Sequence, residues 1–254
     1  MRVRFSAVLA LLLGGSRICA GAAGHVSIAA AANLVFVLEP LDAGFTRANP
    51  GVAVTDTIGA SGSLVSQIEN GAPYDVFLSA DLQYPKKLIG AGGAKASSLV
   101  VFAMGRLVLW TARPGLDIST VVTAVHSPLL KRLAIANPAT APYGRAAEEV
   151  LARLGIAGEV RTRLVFGENI SQTAEFVMSG NADAGFVALS LVLSPKLRDK
   201  GRWLEVPPEL YAPIAQGAVL TLQGAGNPAA RRYLAYLASP PARAVFVRFG
   251  YGSP

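Results

Sequence analysis

Cysteine and histidine are almost missing from this 254-residue chain. There is one Cys, Cys19, and the two His, His25 and His126, stand 101 positions apart. A single thiol excludes a disulfide framework and a Cys-based zinc site, and two such distant imidazoles have no ligand-like spacing. Charge is sparse as well: Asp, Glu, Lys and Arg make up 15% of residues, against 52% apolar. A chain this apolar is not disordered, and 26 Gly with 16 Pro in no regular period are not collagen-like. Most familiar enzyme chemistry is thin here. What remains is enough length for one or two domains with an ample core.

The N-terminus reads as an export signal. Residues 1–4 are MRVR, residues 5–15 an apolar run of 11, and Ala20-Gly21-Ala22 fits a small-residue cleavage site. That run is too short to cross a bilayer as a helix, and no other apolar stretch reaches the ~18 residues needed. A lipoprotein anchored through Cys19 is the rival reading, and Arg17 just before it speaks against a lipobox. With 1–22 removed, Arg2, Arg4, Arg17 and Cys19 leave with it. The 23 basic residues fall to 20 against 16 acidic, a net charge of +4, and a cysteine-free chain suits an oxidising compartment. The remaining arginines, among them Arg106, Arg113, Arg132, Arg145, Arg153, Arg161 and Arg163, are scattered and not interleaved with aromatics. A nucleic-acid surface would be more clustered, so no nucleic-acid partner is expected.

Periodicity alternates strand and helix. Strands are predicted over 25–30, 52–58 and 75–80, with helices over 34–48 (Pro40 kinking or breaking it), 63–70 and 81–90. Farther on, strands are predicted over 107–111, 133–136, 163–166, 184–189 and 218–222, with helices over 145–154, 171–179, 228–237 and 241–249. This order implies an α/β protein of two units, each a mostly parallel sheet flanked by helices. In such sheets, ligands sit beyond the carboxyl ends of strands, where helices begin. Four strand-to-helix turns carry small or amide residues there: Ala-Ala-Asn33, Gly-Ala-Ser61-Gly, Ala-Pro-Tyr143-Gly and Glu-Asn-Ile170-Ser. Each offers free N–H groups at the positive end of a helix dipole. If the four converge they make an anion site that needs no Lys or Arg. Taken singly, Asn33 and Ser61 read as ordinary N-caps, and the anion site rests on all four turns together.

In order and wording these turns resemble the molybdate-binding proteins of bacterial ABC importers. The resemblance is carried by four blocks, VSIAAAANL, GASGSLVSQIENGAPYDVFLSAD, LAIANPATAPYGRAAEEVLARLG and VFGENISQTAEFVMSGNADAGFVALS, and spans about 23–254. It implies a two-lobed type II periplasmic-binding fold with the ligand in the inter-lobe cleft. Residues 23–104 would form lobe 1, 105–212 lobe 2, and 213–254 would return to lobe 1. It also implies a periplasmic receptor that delivers molybdate, and tungstate with it, to an ABC transporter permease, working as a monomer with no cofactor and no catalysis.

Carried over residue by residue, the resemblance makes Asn33, Ser61, Tyr143 and Ile170 the groups that contact the oxyanion through its oxygens. Ala32 would add main-chain N–H, and Ile170 would donate through its backbone. Some family members reach the oxyanion with a tyrosine from the strand that here reads GFVALS. This chain has Ala188 at that position, and the Asn33 and Tyr143 side chains would compensate. An all-donor cage suits a fully deprotonated tetrahedral dianion and disfavours hydrogen phosphate, whose proton needs an acceptor. Rejection of sulfate would rest on cavity size.

The alternatives are a receptor for another tetrahedral oxyanion such as sulfate, or a periplasmic oxyanion sensor acting on a signalling partner. Gly224-Ala-Gly226-Asn-Pro-Ala229 fits a dinucleotide fingerprint, but no second βαβ strand or acidic residue follows. Asn227 as N-cap and Pro228 at N1 explain it better. The serine-elbow pattern at Gly59–Ser63 fails because position 63 is not Gly. His126, the one base available to it, sits in a turn-like segment.

Overall fold

The computed structural model describes residues 24–254; the leader and the Cys19 alternative lie outside them. Two five-stranded sheets result. The first contains β1 (Gly24–Ala31), β2 (Val52–Gly59), β3 (Val76–Ser79), β4 (Val100–Gly105) and β10 (Ile214–Leu220), in the order β2-β1-β3-β10-β4. The second contains β5 (Leu107–Thr111), β6 (Leu133–Ala136), β7 (Leu164–Gly167), β8 (Ala184–Ala188) and β9 (Arg202–Glu205), in the order β7-β6-β8-β5-β9. Each sheet is mixed. β10 runs antiparallel to both its neighbours, β3 and β4, and β5 to both of its own, β8 and β9. The other strand pairs are parallel.

The chain crosses between the sheets twice. At Arg106 it takes a single residue to pass from β4 to β5, and residues 206–213 return it from β9 to β10. Arg106 and Glu205 pair at 3.4 Å across these crossings. The Val206 N–H donates to Leu107 O at 3.0 Å, and the Leu107 N–H to the Tyr211 hydroxyl at 3.2 Å.

The helices differ from expectation mainly at their starts. The helix α1 (Leu38–Ala48) holds Pro40 in its first turn, where an N–H has no intrahelical partner to lose, so Pro40 neither kinks nor breaks it. A single 3-10 turn, Ala32–Leu34, precedes it. Then α2 (Ser61–Glu69), α5 (Pro142–Arg153) and α7 (Ile170–Met178) each begin one to three residues before the predicted start. The turn residues singled out in the sequence therefore lie inside the first helical turns.

Ser61 is not an N-cap: Ala60 occupies that position and no side chain caps the helix. Away from these turns, side chains cap three helices, while α1, α3 (Gln83–Gly90), α6 (Ala157–Val160) and α8 (Leu189–Val192) start without one. Asn227 caps α9 (Pro228–Leu237) by accepting from the Ala229 and Ala230 N–H groups. Thr120 and Ser239 cap α4 (Val121–His126) and α10 (Pro240–Arg248). His126 thus ends a short helix rather than lying in a turn, and it meets Glu159 at 3.0 Å.

One apolar cluster fills the first unit on one face of its sheet, around Ile28, Phe45, Leu78 and Tyr233. A second, around Leu64, Phe77 and Leu88, fills the opposite face. The second unit's core, around Trp110, Ile135 and Phe186, also takes in Ala31, Ala32, Ala60 and Ala80 from the first. These alanines stand at or just past the carboxyl ends of β1, β2 and β3. Their small side chains let the two units meet closely. Among the described residues no helix is long and apolar enough to cross a membrane.

Candidate functional site

Where the two units meet, the carboxyl ends of the strands and the helix starts enclose one small pocket. It is lined by Ala31–Asn33, Gly59–Ser61, Ala80, Ala141–Tyr143, Asn169 and Ile170. All five residues singled out in the sequence (Ala32, Asn33, Ser61, Tyr143 and Ile170) are there, drawn from both units. Ala188 is not among the lining residues. The lining contains no carboxylate and no cation. The cavity measures about 10 Å³, far below the roughly 300–1,000 Å³ of pockets that hold drug-sized molecules. It is dimensioned for a compact solute.

The chemistry lies in the backbone. Three of the four helical turns meeting here start without the side-chain caps that complete α4, α9 and α10. Ala31, Ala60 and Ala141 occupy the N-cap positions of the 3-10 turn, α2 and α5, and an alanine side chain accepts nothing. Asn169 does cap α7, but its Oδ1 accepts from the Ser171 and Gln172 N–H groups and passes over Ile170. The N–H groups of Asn33, Ser61, Tyr143 and Ile170 consequently have no protein acceptor among the described residues. Unpaired buried donors are costly without a partner, and four together at helix N-termini make an anion cradle.

Ser61 adds a fifth donor. Its Oγ accepts from the Ala80 N–H at 3.1 Å, which leaves the hydroxyl proton unspent. The side chain is 1% exposed.

Asn33 and Tyr143 differ from expectation in which of their groups faces where. Asn33 caps nothing. Its Nδ2 donates to Gln216 Oε1 at 2.8 Å and to the Tyr251 hydroxyl at 2.7 Å, so both amide hydrogens are committed away from the cradle. Gln216 is held in that orientation because its own Nε2 donates to the carbonyls of Ala80 and Ile214, each at 3.1 Å. Asn33 Oδ1 is buried without a partner. The Asn33 carbonyl accepts from Ser190 Oγ at 2.8 Å and Tyr251 at 3.1 Å, which ties the turn to the second unit and to the chain end.

The Tyr143 hydroxyl lies against the crossing strand. A Cβ at Gly105 would stand 2.3 Å from it and 2.8 Å from Gln216 Nε2. Burial pushes the Tyr143 and Tyr251 hydroxyls far up, so both stay neutral. The contribution of Tyr143 to the cradle is its N–H, in the first turn of α5 behind Pro142.

Gln216, Tyr251 and Ser190 were not legible as site residues. Gln216 lies ahead of the strand expected over 218–222, and a glutamine beside an apolar run is the one available signal. Among the described residues no group of three His, Cys, Asp or Glu side chains is arranged to hold a metal ion.

Comparison with known proteins places this architecture. The family model for bacterial extracellular solute-binding proteins matches residues 26–252. The chain belongs to that family. As a solute-binding protein it is 41% identical to the molybdate-binding protein ModA of Azotobacter vinelandii over 252 residues, 99% of each chain. It is 42% identical to ModA of Rhodobacter capsulatus, covering 96% of this chain and 93% of that one. Among solved structures, the periplasmic molybdate-binding protein of Azotobacter vinelandii superposes with a TM-score of 0.85 at 35% identity, covering 90% of this chain and 99% of that one. The fold is accordingly the two-lobed one of periplasmic binding proteins, with the sheets above as its lobes.

Proposed function

We propose that this solute-binding protein is a periplasmic receptor that takes up molybdate, accepts tungstate comparably, and delivers it to the permease of an ABC transporter. The observation that carries this reading is the convergence of four unpartnered N–H groups and the Ser61 hydroxyl on a pocket with no charged residue. A tetrahedral dianion offers acceptors in every direction and satisfies such donors. The helix dipoles behind them complement its charge without a salt bridge. Hydrogen phosphate would bring a proton to a cage of donors and leave one of them repelled. Molybdate and tungstate carry the same charge and nearly the same size, so the cradle treats them alike.

Sulfate has the same charge and shape and must be told apart by the spacing of donors that Ala31, Ala60 and Ala141 leave in place. The two ModA relatives, similar over nearly the whole chain, are binding proteins, and this supports a carrier rather than a catalyst. The high identity to two molybdate-binding proteins supports the choice of ligand.

Titration calorimetry of the chain lacking residues 1–22, with molybdate, tungstate, sulfate and phosphate in turn, tests this. Tight binding of the first two with little of the others is the expected result. Preference for sulfate would make the chain a receptor for the smaller oxyanion. Absence of binding by any of the four would overturn the reading.

A further inference from the structure

Beside the pocket, the lobes touch through side chains that the cradle does not use. Arg145 follows Tyr143 and Gly144 on α5, in the second lobe. Its guanidinium reaches across to the first lobe and pairs with Asp81 Oδ2. It also donates to the Tyr84 hydroxyl at 3.2 Å and lies 5.2 Å from the centre of the Tyr84 ring. Tyr84 in turn donates to Ala139 O, back in the second lobe, at 3.0 Å.

The receiving side is built to hold still. Asp81 Oδ1 accepts from Ser79 Oγ at 3.1 Å and from the Tyr84 N–H at 3.2 Å, which leaves Oδ2 for the arginine. Both partners are substantially shielded, the Arg145 side chain 30% and Asp81 15% exposed, so the pair is worth more than an open surface contact. Next to it the Gly62 N–H donates to Thr140 O at 2.9 Å. A Cβ at Gly62 would stand 2.6 Å from the Tyr84 hydroxyl and 3.0 Å from Thr140 Cα. The close approach of the lobes here therefore depends on glycine.

We propose that Arg145, with Asp81 and Tyr84, is an inter-lobe latch that sets how long the receptor retains its oxyanion. Arg145 is a positioning residue: it does not line the pocket and acts by holding the lobes together. Asp81 and Tyr84 lie just beyond Ala80, and Arg145 just beyond Tyr143, so closing the latch brings the two halves of the donor cradle onto one ligand. A latch that holds the lobes shut must break before a bound ligand can leave, so its loss falls on release rather than on capture.

This proposal rests on the oxyanion-receptor reading. The measurement is the release rate of radiolabelled molybdate, chased with excess tungstate, for the wild type, Arg145→Ala, Asp81→Asn and the double variant. Release should quicken at least about fivefold in each single variant, the size of a partly buried charged contact. Arg145→Ala/Asp81→Asn should be no faster than Arg145→Ala alone, because both remove one contact. The association rate and the melting temperature of ligand-free protein should not move. Unchanged release would overturn the latch. So would additive effects in the double variant, or a fall in ligand-free stability matching the loss of affinity, which marks plain structural support.

Should the wild type bind no oxyanion, the receptor reading fails on its own. The latch is then read from spin labels at Lys86→Cys and Ala152→Cys, one on each lobe. Arg145→Ala should widen their distance distribution, and identical distributions would overturn the latch.

Discussion

Ser61 Oγ and the Ala80 N–H are joined at 3.1 Å, with the hydroxyl as acceptor. A backbone donor from the end of one strand thereby fixes the side chain at the start of the helix after another, and turns its one proton outward from that bond. The serine is a donor held ready in the pocket, not a cap for its own helix. Ser61→Ala should weaken molybdate binding about tenfold or more, the scale of a hydrogen bond to a charged group. Calorimetry reads it directly, and Ser61→Thr, which keeps the hydroxyl, should recover part of the loss.

Tyr143 is expected to act through its backbone. With its hydroxyl set against Gly105 rather than in the cradle, Tyr143→Phe should leave affinity within about twofold, the error range of a contact not made. Gly105→Ala is the telling partner to it. A methyl there collides with the Tyr143 hydroxyl and with Gln216, must push the first turn of α5 aside, and should reduce affinity far more than the loss of the hydroxyl itself. Competition calorimetry on both variants compares them.

Ile170 also enters the cradle through its N–H, because Asn169 Oδ1 accepts from the two N–H groups that follow it, those of Ser171 and Gln172. Ile170→Val keeps that N–H and removes one methylene from a side chain 4% exposed. Binding should be unchanged while the protein loses about 0.5–1.5 kcal/mol of stability. Thermal melts and calorimetry on the same preparation separate the two effects.

A fourth expectation concerns pH. Burial, with the neighbouring Asp56 carboxylate and despite the bond from the Tyr233 hydroxyl at 2.6 Å, raises the Asp42 carboxyl to about 8. A group raised in the folded state stabilises most when protonated in both states, and the gain is lost as pH rises through the folded value. The melting temperature should therefore fall between about pH 4 and pH 8. Asp42→Asn, which keeps an acceptor for Tyr233 and sheds the charge, should flatten that slope. A variant with the same slope as wild type would remove Asp42 from the explanation.

Much of this was legible in the sequence, for physical reasons that also explain the misses. β5, β6 and α9 have the bounds their apolar spacing and caps predict, 107–111, 133–136 and 228–237. β4 is not legible because Val100–Gly105 runs into Leu107–Thr111 as nearly one apolar stretch, and only tertiary structure divides it between two sheets at Arg106. β10 begins at Ile214, four residues early, because buried Gln216 interrupts the apolar pattern while serving Asn33. The gathering of Asn33, Ser61, Tyr143 and Ile170 followed from the rule that ligands sit beyond strand ends. Which atom of each faces the pocket did not, since it depends on partners as far off in sequence as Tyr251.

The order of strands has a consequence for how the molecule is made. β10, at residues 214–220, is an inner strand of the first sheet, seated between β3 and β4. Every strand of the second sheet lies within 107–205, so that lobe has its whole sheet in hand while the first still has a gap. Until β10 arrives, β4 has no strand to pair with and β3 is an open edge. The lobe whose synthesis starts first is thus the last to be finished, and the cradle, which needs both, assembles only when nearly the whole chain has emerged.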